Sequence, residues 1–189
     1  MEDFISKVRK FVISKYSPND YRYHISVVVK NALKLAKIKK ADLEIVEIAA
    51  LLHDTGRAKG VKPSGSKASI HHMTGAKLAD EFLSKINYSK DKREKVIGCI
   101  LAHRGNKEDY MPETLEEKII YNADAMSHFI SFLDLYRNFV EDEGVQKGTE
   151  LVKEKIDRGW NKKLSMPEAK KLVEKEYRAI KLLLDNLNN

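Results

Sequence analysis

Four residues in this chain have types that invite chemistry: His24, the adjacent pair His53-Asp54, and Asp124. Each lies in or at the end of a segment that reads as a buried helix. An imidazole or carboxylate in a core costs several kcal/mol unless it is paired, hydrogen-bonded or bound to a metal. One divalent cation would compensate all four. Two imidazoles and two carboxylates form a mixed nitrogen and oxygen set that suits borderline or hard ions, leaving manganese, cobalt, nickel, iron, magnesium and zinc open.

The elements that must position these groups are helical, because apolar residues recur at helical spacing from end to end and no alternating strand pattern of useful length occurs. The fold class is therefore all-α. A first helix is expected over Glu2 to Tyr16. Ser17-Pro18 then supplies a cap and a first-turn proline for a second, running to about Ile38. On it His24 precedes Val28 by four residues and shares the apolar stripe of Ile25, Val28, Val29, Ala32 and Leu35. Asp42 caps a third helix that is apolar nearly all round, the pattern of a central buried helix, and that ends in His53-Asp54. Arg57 to Ser69, rich in Gly, Ser and Lys, reads as a loop over the mouth of a site. A fourth helix is expected from His71 to Ile86, a fifth from Lys90 to His103, and a sixth after Met111-Pro112. On the sixth, Asp124 falls on the side of Ile120 and Ser127. Two more helices should complete the chain, punctuated by Gly144, Gly148 and Arg158-Gly159-Trp160, with Ser165, Pro167 and Glu168 opening the last.

The order His24, His53-Asp54, Asp124 in a helical chain resembles the HD superfamily of metal-dependent phosphohydrolases, over roughly Tyr21 to Phe129. The resemblance implies an HD-domain helical bundle spanning residues 1–189 as a single domain. Its metal-site core would cover about 21–130 and additional C-terminal helices about 131–189. It also implies hydrolysis of a phosphate ester by a metal-activated water, with His24, His53, Asp54 and Asp124 as ligands and Asp54 either bridging two ions or orienting the attacking hydroxide. His72, in His72-Met73-Thr74-Gly75-Ala76, and His103, in Ala102-His103-Arg104-Gly105, match places where relatives carry further histidines. They would hold a second ion or contact the phosphate. His71 should point elsewhere, and His128 could stand behind the ligands. Two departures are visible: Asn122 where many relatives have aspartate, and Thr55 in place of the isoleucine of His-Asp-Ile-Gly.

Cations flank the proposed site. Arg57 and Arg104 are the candidates for stabilising charge on a phosphoryl group, since a guanidinium grips phosphate with two hydrogen bonds. Lys59 is a further cation just after the pair; Lys62, Lys67 and Lys107 read as solvated loop lysines, and Arg22 reads as a substrate contact, a support behind the ligands or a bystander. Gly60 to Lys67 resembles a phosphate loop, but Ser66-Lys67 stands where Lys then Ser or Thr is needed and no strand precedes it.

Composition limits the alternatives. A chain of 189 residues holds one well-cored domain, by the usual figure of about 100–200 per domain. Cys99 is the only cysteine, which excludes a disulfide framework or a cysteine metal site and suits a small core residue in the cytoplasm. No stretch nears the roughly 18 apolar residues of a membrane span, so no membrane partner is expected. The net charge of +7 would suit an anionic partner. Much of the lysine, however, is interleaved with glutamate in the last third, as on a solvated helix face. The expected partner is a small phosphorylated molecule, most simply a nucleotide, with nucleic acid disfavoured and a homo-oligomer left open. A metal-stabilised nucleic-acid or nucleotide binding module and a di-iron oxygenase are the competing classes.

Overall fold

In the computed structural model, which describes residues 3–57, 71–105 and 110–187, every regular element is helical. Side-chain caps account for three of the early helix starts. Asp3 accepts the Ser6 amide and opens α1 (Phe4–Lys15). Ser17 accepts the Asp20 amide and opens the short α2 (Pro18–Asp20), with Pro18 in the first turn. A π-helical turn, Tyr21–Ile25, then leads into α3 (Ser26–Lys39), which stops where Lys40 turns left-handed at φ 59°. Asp42 accepts the Glu44 and Ile45 amides and opens α4 (Leu43–Leu52). A cap of this kind stabilises a helix by about 1 kcal/mol. A 3-10 turn at Thr55–Arg57 follows, then α5 (His71–Lys85), α6 (Lys90–Ala102) and α7 (Leu115–Ile130). Met111-Pro112 does precede α7. The expected loop Arg57 to Ser69 lies, beyond Arg57, outside the described residues, as do Lys59, Lys62, Lys67 and Lys107.

The chain forms two compact units, Met1–Tyr121 and Asn122–Asn189, with the division falling inside α7. In the first, α4 packs against α1, α3 and α6, and α5 packs against α6. Ile45, Val46, Ile48, Ala49, Ala50, Leu51 and Leu52 are all buried, so α4 is the central helix its sequence promised. Each of its larger side chains contributes about 1.5–3 kcal/mol by leaving water. Phe11 of α1 stacks on Phe82 of α5 at 4.0 Å, and Gly105, at φ 59°, turns the chain after α6.

The second unit departs from expectation. Three helices follow α7, not two: α8 (Phe132–Glu143), α9 (Val145–Arg158) and α10 (Pro167–Asn186). The unforeseen break is at Ser131, which leaves helical geometry at ψ 35° without a glycine or proline to announce it. Gly144 does separate α8 from α9, but Gly148 lies within α9. A Cβ there would come 2.7 Å from the Phe139 carbonyl oxygen, so its smallness serves close packing. Gly159 to Lys163 forms a second π-helical turn, and Trp160 stacks face to face on Tyr177 at 4.0 Å. Many of the lysines and arginines of this unit are paired along or between its helices, as in Arg178–Glu174 and Lys153–Asp185.

Candidate metal centre

Four histidines converge on one carboxylate, Asp54. The 3.6-residue repeat of α4 carries its apolar sides into the core and delivers His53 as the helix cap, with Asp54 next in the turn. His53 is fully buried and Asp54 nearly so. Asp54 Oδ2 lies 3.3 Å from His24 Nε2 and 3.9 Å from His53 Nε2. Asp54 Oδ1 lies 3.3 Å from His71 Nε2 and 3.5 Å from His103 Nε2. Each oxygen thus faces its own imidazole pair. Within the pairs the nitrogens are close, 3.1 Å for His24 and His53 and 3.2 Å for His71 and His103. Asp54, His71 and His103 present one ligand atom each in mutual reach of a single ion.

The tautomers follow from the backbone. His53 Nδ1 lies 2.8 Å from the Ala50 carbonyl oxygen and His103 Nδ1 lies 2.6 Å from that of Ile100. A carbonyl oxygen can only accept, so both Nδ1 atoms carry the proton, and Nε2 is left as the atom that faces Asp54 and would ligate a metal ion. This is the arrangement by which proteins orient metal-binding histidines. Burial alone would push the Asp54 carboxyl up. Hydrogen bonds from His103 and His24, the charge of His53 and the hydrogen bond from His71 outweigh it and hold the carboxyl well below the usual carboxylate range. A buried anion ringed by imidazole nitrogens, which can give up their Nε2 protons to a metal, fits a divalent cation on either side.

His24 reaches this centre from the π-helical turn and keeps 29% of its side chain exposed, so it points inward only in part. Arg57 lies beside Asp54: its Nε donates to Asp54 Oδ1 at 3.1 Å, and Nη2 lies 3.4 Å from His71 Nε2. Arg104, half-buried, sits in the turn after α6. Arg22 is exposed and lies over the Tyr23 ring.

The main correction concerns the two neighbouring histidines. His71, which the sequence sent elsewhere, joins Asp54 and His103, whereas His72, expected there, is buried with its ring edge-on to Tyr110 at 6.0 Å. The cause is a backbone approach. A Cβ on Gly56 would lie 2.0 Å from the His71 carbonyl oxygen and 2.8 Å from the Gly75 nitrogen, so the turn after Asp54 runs against the first turn of α5. That approach sets which histidine faces Asp54. A sequence signal did exist: stepping back in fours from buried Leu83 through Ala79 and Gly75 arrives at His71.

In the second unit Asp124 is buried on α7, and its Oδ2 accepts from Lys163 Nζ at 3.2 Å. His128 is half-buried one turn further on. The two departures from the family pattern have local uses. Asn122 accepts the Met166 amide and donates to Ser165 Oγ, tying down the start of α10. Thr55 donates its hydroxyl to the Leu52 carbonyl oxygen at 2.8 Å.

Residues 21–128 match the HD domain. The chain belongs to the HD-domain family. Over 154 residues this HD-domain chain is 32% identical to the tRNA (cytidine(56)-2'-O)-methyltransferase of Thermoplasma volcanium, covering 77% of this chain and 42% of that protein. The chain thus spans less than half the length of that relative. Its fold resembles that of Bacillus subtilis YpgQ, with a TM-score of 0.75, 20% identity, and coverage of 97% of this chain and 92% of the other. A structure of YpgQ in complex with ADP matches at a TM-score of 0.69. A protein described as a predicted HD superfamily hydrolase, from an uncultured Thermotogales bacterium, matches at 0.65 with 20% identity, over 96% and 90% of the two chains. The HD-domain chain therefore has the fold of the HD superfamily hydrolases and a His/Asp cluster suited to metal. No helix among the described residues is long and apolar enough to cross a membrane.

Proposed function

We propose that this HD-domain protein hydrolyses a phosphate ester of a nucleotide or related small molecule at a two-ion centre bridged by Asp54. The observation that carries the reading is the division of Asp54, with one oxygen toward His24 and His53 and the other toward His71 and His103. Asp124 is proposed as a further carboxylate ligand. That assignment rests on the family resemblance and on its place inside the matched residues 21–128.

Divalent ions at such a centre lower the pKa of a bound water and polarise a phosphoryl oxygen. The chain's own part is to prepare the place. The Ala50 and Ile100 carbonyls fix two rings with Nε2 inward, and Asp54 supplies the negative charge that retains cations. Arg57, 41% exposed beside Asp54, is placed to offset charge on a phosphoryl group, and Arg104 is proposed as its companion. A nucleotide is favoured because a protein of similar fold has been solved in complex with ADP. Cys99, buried and with its thiol pushed up by burial and by the charges of Glu117 and Glu116, suits a cytoplasmic protein.

The test is elemental analysis after exposure to mixed divalent metals and gel filtration, beside a protein carrying His53→Ala and Asp54→Ala, followed by phosphate release from a nucleotide panel. Metal in the parent alone, with release from at least one nucleotide, is expected. Equal, negligible metal in both proteins would sink the reading. An RNA-directed role is a second reading, favoured by the tRNA-modifying relative and by the basic charge. It would show as RNA affinity falling steeply with salt and no phosphate release.

A further inference from the structure

The hydroxyl of Tyr16 has no use within the described residues. Tyr16 ends α1, one residue before the Ser17 cap, and is 9% exposed. Its hydroxyl oxygen is buried and has no hydrogen-bond partner. A buried, unsatisfied hydroxyl is costly, and a phenylalanine would fill the same space without that cost. Asp54 and Arg57, together with Asp20, are the charged groups close enough to act on the phenol. Asp54 does not need it, because both carboxylate oxygens already face imidazoles and one also accepts from Arg57. A phenol carries its proton at neutral pH and so can donate. A buried donor hydroxyl within electrostatic reach of Asp54, and a guanidinium that contacts the same carboxylate, suit a ligand whose oxygens only accept.

We infer that Tyr16 is a substrate-binding residue whose hydroxyl donates a hydrogen bond to a phosphate oxygen of the bound substrate, alongside Arg57. The inference rests on the hydrolase reading above and adds a contact outside its ligand set.

The experiment compares the parent with Tyr16→Phe, each loaded with the metal chosen by elemental analysis and titrated calorimetrically with inorganic phosphate. One hydrogen bond to a charged group is expected to be worth about tenfold or more in phosphate affinity. Bound metal should be equal in the two proteins, and the thermal midpoint without phosphate should be unchanged or higher in Tyr16→Phe. Equal phosphate affinity at equal metal content would overturn the inference and leave the hydrolase reading standing. Lost metal or a markedly lower midpoint in Tyr16→Phe would also overturn it, by showing that the hydroxyl supports the fold or the ligands. If the metal-loaded parent itself takes up no phosphate, the hydrolase reading falls and the Tyr16 contact with it.

Discussion

Replacing Asp54 by asparagine should remove two ions with one atom change, whereas replacing His71 by alanine should remove one. The asymmetry comes from the geometry: Oδ1 serves His71 and His103, Oδ2 serves His24 and His53, and only Asp54 belongs to both sets. An asparagine is neutral and turns a donor amide toward one imidazole pair, so neither side keeps its anionic ligand. At a free metal concentration a hundredfold above Kd, each bound ion adds about 2.7 kcal/mol of stability. In a protein of this size each kcal/mol moves the thermal midpoint by about 2–4 °C, so two ions should raise it by about 10–20 °C. The His71→Ala protein should keep roughly half of that rise and the Asp54→Asn protein almost none, measured calorimetrically with and without chelator and checked by metal content. A full metal-dependent rise in Asp54→Asn, or two ions still bound to it, would refute the bridging role.

Gly56→Ala should be among the most damaging small substitutions, because the new Cβ would fall 2.0 Å from the His71 carbonyl oxygen; metal analysis should show the His71 and His103 side emptied, and an unchanged ion count would contradict the close approach. Asn122→Asp, which restores the residue common in relatives, should destabilise the chain by about 1–3 kcal/mol, since Asn122 loses its donor to Ser165 Oγ and gains a buried charge; urea melts that show no loss would contradict this. The pH dependence of the metal-free protein has a defined sign. The Asp54 carboxyl titrates below its ordinary 3.8 when folded, so its contribution stands above that value and disappears as pH falls through the folded pKa. The stability gap between the parent and Asp54→Asn, from urea melts in chelator, should therefore persist at about pH 5 and shrink only as the pH falls below 3.8 toward the folded pKa. A gap that has already closed at pH 5 would show that the carboxyl is not depressed.

His53-Asp54 was legible because polar groups at the end of α4, a helix apolar on every side, have no bland use. The start of α4 at Asp42 and that of the helical segment at Ser17-Pro18 were legible because capping is local chemistry that six residues suffice to specify. What stayed hidden was decided at a distance. His71 and His72 are chemically identical neighbours, both buried, and the choice between them belongs to the contact of Gly56 with α5, nineteen positions from Gly75. The break at Ser131 left no mark because an α-helix can end at a residue that is neither glycine nor proline when packing on both sides favours it. Gly148 was misread for the opposite reason: a glycine can serve close packing of helices as readily as a turn, and its sequence context does not say which. Asn122 was visible as a departure, but its bonds run to Ser165 and Met166, more than forty residues away.

The π-helical turn over Tyr21–Ile25 makes His24 a matter of counting as much as of chemistry. A π turn carries one residue more than an α turn, and each residue advances a helix by about 100°. Deleting a single residue between Tyr21 and Tyr23 would let the segment relax to regular α-helix, keep the imidazole in the chain and swing it out of line with His53. A catalogue of point substitutions, however complete, would not sample that failure. Related sequences should therefore be aligned through this turn by the length of the segment between Pro18 and Val28, because one misplaced gap there would put a different residue in the ligand column.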